Sequence, residues 1–445
     1  MIKWLPINHT SILMNQVNFD KYIAILKKEL ILALGCTEPG AVGYAASKAA
    51  EVLGCFPKHI EMRCSANIIK NVKSVDVPNS RGLKGIEAAA ILGIISGKSS
   101  DSLEIFKYVK EKDIKKTQQL ISENFCSVFL QKDESNLYIS AIVRDEENIA
   151  EVIIKDAHTN IVTIKKNNKL VFSKGDNSNN ISKDGDNEFE YNGKRYDEFM
   201  TVAGILDFAD SADWKELREI MEEQVRFNTA IAEDGLHNSY GANIGRTLIE
   251  VYGNDIRNRA KAKAAAGSDA RMGGSSLPVV INSGSGNQGI TIAVPVVEYA
   301  KELKIGEEKL YRAMAIANLI SIYIKSHIGK LSAFCGAVNA SCGCGAAITY
   351  INGGTFCEIC STITNAIANI GGIICDGAKA SCAAKISSSV DAAILAVEMT
   401  KRGESFCVGE GIIGHDIEKT IDNFGKVGRE GMYQTDTCIM GIMLE

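Results

Sequence analysis

Proline is scarce in this chain, six residues against forty glycines, which argues against a loop-rich secreted scaffold and favours helices joined by glycine bends. No apolar run reaches the roughly 18 residues that a membrane-spanning helix needs, so no membrane partner is expected. Lysine- and arginine-rich runs are also missing, and the net charge is only -5. A chain that tracks a phosphate backbone carries a basic stripe, so nucleic acid is set aside. The opening Met1-Ile2-Lys3-Trp4-Leu5-Pro6 lacks a charged leader, apolar stretch and cleavage site. These absences leave a cytoplasmic protein that handles a small molecule.

What is abundant is apolar surface and sulfur. Hydrophobic residues make up 46% of 445 positions, enough for a large core and for two or three domains of the usual ~100–200 residues. Thirteen cysteines without a secretion signal are poor candidates for a disulfide framework, which leaves metal binding, catalysis or plain burial.

The expected fold is α+β: a largely helical, Gly/Ala-rich catalytic domain interrupted by a small α/β domain. Residues 1–98 form its first part and 198–445 the remainder. Apolar residues at helical spacing cover Tyr22 to Leu34 and Ala41 to Leu53, and an extended segment runs from Ile60 to Val77 before a helix from Ile86 to Ile95. Within 99–197, β-branched alternation predicts strands at 127–130, 137–143, 150–154, 161–164 and 170–172, and 173–187 reads as a mobile linker. Further on, 213–235 reads as a helix closed by Asp234-Gly235, and 266–276 as a loop.

Cys375 and Cys382 flank Asp376-Gly377. Seven residues along an unbroken helix separate them by about 10.5 Å, too far for two ligands of one compact metal centre. Gly377 can adopt the left-handed conformation that folds the chain back, and Cys335 lies forty residues upstream in a second small-residue bend. The three thiols are either a metal pocket or buried free cysteines, since cysteine often behaves as a small hydrophobe. Cys36, in Gly35-Cys36-Thr37-Glu38-Pro39-Gly40, falls just before a helix N-terminus, where the dipole is expected to lower its pKa. The loop Ser283-Gly284-Ser285-Gly286-Asn287-Gln288-Gly289 opens another helix. Lacking the Lys-Ser/Thr ending of a P-loop, it reads as a carboxylate cradle or as a tight structural bend. Cys342-Gly343-Cys344 with Cys357 and Cys360 form a rival set for structural zinc, and His327 is near enough in sequence to join Cys335.

With these motifs assembled, the chain resembles the L-cysteine desulfidase family, related to the catalytic chain of iron-sulfur L-serine dehydratases. The likeness rests on Gly35 to Pro39, Ser283 to Gly289, Gly329 to Gly336 and Ile374 to Cys382. It implies a [4Fe-4S] cluster held by Cys335, Cys375 and Cys382 with one iron open to substrate, Cys342 being the alternative to Cys335. It further implies Cys36 as catalytic thiol and Ser283, Ser285, Gly286 and Asn287 as the substrate-carboxylate loop. The implied reaction converts L-cysteine to pyruvate, ammonia and hydrogen sulfide, with a homodimer as the candidate assembly. Competing readings are L-serine dehydration at the same centre, a pyridoxal-phosphate lyase using a lysine such as Lys263, and a non-catalytic zinc-stabilised amino-acid sensor.

Overall fold

The computed structural model describes residues 16–132, 134–174, 189–191, 194–329 and 331–444. The chain start, most of the expected 173–187 linker, and Lys330 lie outside the described residues.

The N-terminal part comprises α1 (Gln16–Glu29), β1 (Leu32–Leu34), α2 (Thr37–Leu53), β2 (His59–Cys64), α3 (Ala66–Val72), α4 (Gly85–Ser96) and α5 (Glu111–Ser122). Strands β3 (Cys126–Leu130), β4 (Tyr138–Arg144), β5 (Ile149–Lys155), β6 (Ile161–Lys166) and β7 (Lys169–Ser173) follow, then the short pair β8 (Glu190–Tyr191) and β9 (Lys194–Arg195). The rest is helical apart from one strand: α6 (Val202–Ser211), α7 (Trp214–His237), α8 (Ile244–Tyr252), α9 (Ile256–Met272), β10 (Pro278–Val280), α10 (Gly286–Glu302), α11 (Glu307–Ile328), α12 (Gly336–Ile351), α13 (Phe356–Ile370), α14 (Cys382–Lys401), α15 (Ile417–Lys426) and α16 (Tyr433–Leu444). The architecture is α+β with a largely helical body.

The main sheet has the order β3-β2-β4-β5-β6-β7. Period-two alternation makes it: Ala150, Val152 and Ile154 of β5 turn inward while their neighbours are only partly covered. Its second strand, β2, comes from before residue 99 and runs parallel to β3 and antiparallel to β4, so the sheet draws on sequence outside the 99–197 span.

Four local expectations change for tertiary reasons. The helical pattern from Tyr22 breaks at Glu29 because Leu32–Leu34 pairs with β10, Leu32 opposite Val280 and Leu34 opposite Pro278. Of the extended 60–77 segment only His59–Cys64 is strand, and Ala66–Val72 turns into α3, burying Ile68 and Val72 at helical spacing. The helix expected to close at Gly235 continues to His237, and α9 runs through the expected 266–276 loop as far as Met272. These two helices explain each other: a Cβ on Gly235 would lie 1.9 Å from the Ala266 carbonyl oxygen, so that glycine permits close packing of α7 on α9 rather than a helix end.

Candidate active site

The four segments singled out above meet in one place, and helix starts bring them there. Cys36 is the N-cap of α2, Ser285 of α10, Cys335 of α12, and Cys382 is the first residue of α14. Thr37 Oγ1 donates to the Gly284 carbonyl at 2.9 Å, tying α2 to the glycine-rich loop. A Cβ on Gly336 would meet the Gln288 side chain at 2.7 Å, so α12 begins against α10.

The cysteine bends are locked by a short antiparallel bridge. Phe334 pairs with Ile374, and the Cys335 N–H donates to the Ile373 carbonyl at 2.9 Å while the Cys375 N–H donates to that of Ala333 at 2.5 Å. Gly377 takes φ +94°, and a Cβ there would lie 2.7 Å from the Lys70 carbonyl oxygen. The backbone folds back as the Asp-Gly signal suggested, and Cys382 Sγ lies 3.8 Å from the Gly377 carbonyl. The three thiols sense one another. Burial, then the neighbouring Cys375, pushes Cys335 up to about 12, and the same two causes, with a backbone bond to Lys379 opposing them, raise Cys382. Lys385 donates to the Ile374 carbonyl at 2.9 Å and to the Asp376 carboxylate. Its charge also reaches Cys335 and Cys375. Burial would raise Asp376, but Lys379 and Lys385 hold it down at about 2.

Cys36 shares a small apolar cluster with Val75, Met272, Ala378 and Cys382, so the fourth thiol faces the cysteine bend. Its ionisation is the reverse of the sequence expectation. With 2% of its surface exposed, burial and the Glu38 carboxylate raise the thiol well above its ordinary value, outweighing the opposing charge of Arg271. Cys36 Sγ donates to Glu38 Oε2 at 2.9 Å, Asn71 Nδ2 donates to Oε1 at 3.0 Å, and Thr37 Oγ1, which shares its one proton between Glu38 and the Gly284 carbonyl, lies 3.0 Å from Oε2. Burial alone would raise Glu38, yet His158, Cys36 and Arg271 bring it down to about 2. The site therefore holds a carboxylate at Glu38 and a proton on Cys36.

The glycine-rich loop is tied down by side-chain hydrogen bonds. Ser283, at φ +49°, donates to its neighbour Asn282 Oδ1 at 2.9 Å, and Asn282 Nδ2 donates to Asn318 Oδ1 at 2.9 Å, which continues to Gln224. The Ser283 hydroxyl thus shapes the loop, while Asn287 Oδ1 is buried without a partner among the described residues.

Two residues escaped the sequence reading. His158, on the β5–β6 connection, is 6% exposed. Its Nε2 lies 3.9 Å from Glu38 Oε1, and its Cε1 would stand 3.1 Å from a Cβ on Gly284. Arg271, 2% exposed, donates from Nε to the Gly35 carbonyl at 3.0 Å and lies under Gly286, whose Cβ would meet that Nε at 2.3 Å. Neither stands in a motif; both are single polar residues on segments that only the fold brings close.

The remaining candidates make other contacts. His327 bonds its own helix at the Tyr323 carbonyl, 3.0 Å away, and burial lowers its pKa. Cys342 and Cys344 are buried within α12, Cys360 is buried on α13 and Cys357 is exposed. Lys263 is ion-paired to Glu233 at 2.6 Å and Glu298 at 3.1 Å, bonds that outweigh burial and raise its pKa. An aldimine-forming lysine needs the neutral amine. Among the described residues no three His, Cys, Asp or Glu side chains converge as they would on a single ion. All thirteen cysteines are free thiols.

Comparison with known proteins places these residues among relatives. The family model described as serine dehydratase alpha chain matches residues 100–441. A UPF0597 protein of Lachnoclostridium phytofermentans is 49% identical over 427 residues, spanning 96% of this chain and 100% of its own. The UPF0597 protein DSY1109 of Desulfitobacterium hafniense is 48% identical over 426 residues, with 96% and 97% covered. FN1147 of Fusobacterium nucleatum, also a UPF0597 protein, is 41% identical over 434 residues, with 96% and 99% covered. Among the described residues no helix is long and apolar enough to cross a membrane.

Proposed function

The chain belongs to the serine dehydratase alpha chain family, and from that premise we propose that it is a lyase that eliminates the β-substituent of a free L-amino acid, L-cysteine being the substrate. The observation that carries this reading is the bridge that sets Cys335 beside Cys375, with the fold-back that returns Cys382 to the Gly377 carbonyl and packs it against the cluster containing Cys36. The donor set suits an iron-sulfur cluster. Three free thiols sit in glycine-rich bends, and the Lys385 ammonium lies beside them, bonded to the Ile374 carbonyl. A single ion draws thiolates to about 2.3 Å from one point, whereas a cluster takes each cysteine on a different iron. Cys335, Cys375 and Cys382 would hold the cluster. When bound, it supplies a Lewis acid for the leaving group and a positive charge that favours thiolate over thiol.

In the elimination, the α-proton is removed, the Cβ–S bond breaks with its electron pair leaving on sulfur, and the aminoacrylate hydrolyses to pyruvate and ammonia. This chain contributes a proton relay at Cys36 Sγ and Glu38 Oε2, 2.9 Å apart. Cys36 Sγ takes the α-proton as its own proton passes to Glu38 Oε2, the ionised acceptor of the resting site, with Asn71 and Thr37 fixing the carboxylate. The amides of Gly286 and Asn287 open α10, where the positive end of the helix favours a carboxylate. Asn287 Oδ1, an acceptor without a partner, suits the substrate ammonium. Thr37 and the Asn282–Asn318 bonds hold this loop in register with Cys36, since a misplaced reactant forfeits much of the rate.

The test is anaerobic purification with iron and acid-labile sulfide analysis, followed by sulfide release from L-cysteine against pyruvate release from L-serine. Cys36→Ser should lower kcat by at least about 10²-fold, the scale of a lost general base, while the visible absorption of the cluster stays. Full activity in that variant removes Cys36 from the mechanism. Turnover of serine with little sulfide from cysteine changes the substrate to the hydroxyl amino acid.

A further inference from the structure

Arg271 is a buried cation with no anion in contact, the Glu38 carboxylate feeling its charge only from beyond ion-pair distance. It comes from the last turn of α9, is 2% exposed, and makes one side-chain hydrogen bond, from Nε to the Gly35 carbonyl at 3.0 Å. Among the described residues no carboxylate lies within ion-pair distance of it, and nothing accepts from its two terminal nitrogens. An unpaired buried charge is expensive, and native structures pair it or hydrogen-bond it fully. The guanidinium lies against the start of α10, where a Cβ on Gly286 would come within 2.3 Å of Nε and 2.8 Å of Cζ. Only a residue without a side chain lets it lie there. Gly35 O fixes the Nε edge and leaves the Nη1/Nη2 end as a planar fork, which matches a carboxylate bidentately as a lysine ammonium does not. The first amides of α10 stand beside this fork, and Cys36 is near enough to feel its charge.

We propose that Arg271 receives the α-carboxylate of the substrate, together with the amides that open α10, and so restricts this site to amino acids with a free carboxylate. The inference rests on the amino-acid lyase reading above and adds to it the residue that selects the substrate class. It also accounts for the glycine at position 286: the side chain is excluded there to admit the guanidinium, and the loop binds through Arg271 more than through its serines.

The test is isothermal titration of the anaerobically reconstituted holoenzyme with L-alanine, which has no leaving group, and with L-alaninamide, which lacks the carboxylate. The wild type should bind L-alanine about 10–100-fold more tightly than the amide, the scale of a charge-assisted hydrogen-bonded pair. Arg271→Gln should weaken L-alanine by a similar factor and abolish the preference, with KM for the reacting amino acid rising more than kcat falls. Gly286→Ala keeps the guanidinium but displaces it, and should show the same loss. Should Arg271→Gln not fold, Arg271→Lys decides: it keeps the charge without the fork and should bind L-alanine about 10-fold more weakly than wild type. The proposal is overturned if the wild type binds both probes alike or L-alanine not at all, or if a folded variant keeps wild-type affinity. An Arg271-dependent preference in a protein that turns over neither cysteine nor serine would leave this site standing and remove the elimination reading.

Discussion

At the scale of single residues, Cys36 illustrates a contest between two effects with opposite sign. A helix N-terminus offers partial positive charge worth about 0.3–1 kcal/mol at an exposed position, whereas full burial of a thiolate next to a carboxylate opposes ionisation by more. Burial and Glu38 win, and the thiol keeps its proton. Asp269 shows the same burial effect on an acid. It is 1% exposed, its Oδ2 accepts from the Gly245 N–H at 3.1 Å, and its Oδ1 has no partner among the described residues. Burial, against the Gly245 and Ile244 amides, raises it to about 6. The unfolded chain therefore binds fewer protons than the native one between about pH 4 and 6, so stability falls as pH rises through that window. The full contribution is about 3 kcal/mol, from two units at 1.36 kcal/mol each. Asp269→Asn should gain about 3 kcal/mol in stability relative to wild type as pH rises from 4 to 6, with the difference constant above about 7. Unfolding curves that stay parallel throughout would contradict this assignment.

At the scale of elements, the site is a meeting of helix beginnings. α2, α10, α12 and α14 each bring an N-terminal turn to it, and each first turn carries amides without intrahelical acceptors. Such a cage suits anions, which in the proposed reading are a substrate carboxylate at α10 and cluster-bound thiolates at α12 and α14. The bend from Cys375 to Cys382 is its least regular wall, and Gly377 is the pivot. An alanine there must adopt φ +94° and push its Cβ into the Lys70 carbonyl, a strain of roughly 1–3 kcal/mol. Gly377→Ala should lower the melting temperature and reduce iron per chain after reconstitution, whereas Gly372→Ala, which meets no atom within 4 Å, should do neither. Equal iron content in the two variants would free Gly377 from this role.

At the scale of the whole molecule, distant segments close around the site from two sides. The sheet contributes His158 from the β5–β6 connection, and Lys166 Nζ donates to the Leu53 carbonyl at 3.1 Å, anchoring β6 to the end of α2. From the other side, α16 packs on α3. Lys70 Nζ, whose side chain is 1% exposed, pairs with Asp436 Oδ1 at 2.6 Å, and Lys73 donates to the Met443 carbonyl. Because the Lys70 carbonyl also faces Gly377, the C-terminal helix supports the cysteine bend through α3. Removing one partner of a buried pair strands the other charge. Asp436→Asn should destabilise by about 3 kcal/mol, and adding Lys70→Met should recover most of it, since an apolar isostere needs no partner. Chemical denaturation of the three proteins checks this; an unrecovered double variant would show that the pair does more than neutralise charge.

The sequence alone determined what local pattern can encode. Alternation of β-branched residues marked β3 to β7, the Asp-Gly dipeptide marked the fold-back between Cys375 and Cys382, and Gly-Cys-Thr-Glu-Pro marked the start of α2, because turn chemistry and side-chain period act over a few residues. Tertiary structure decided the rest. It converted Leu32–Leu34 from helix to strand by offering β10 as a partner, and made Gly235 a packing contact by placing Ala266 against it. It gave Cys36 its proton by burying it beside Glu38. It also brought His158 and Arg271 to a site that neither adjoins in sequence. Burial, charge pairing and close approach depend on segments that meet only in the folded chain, and no local pattern carries that information.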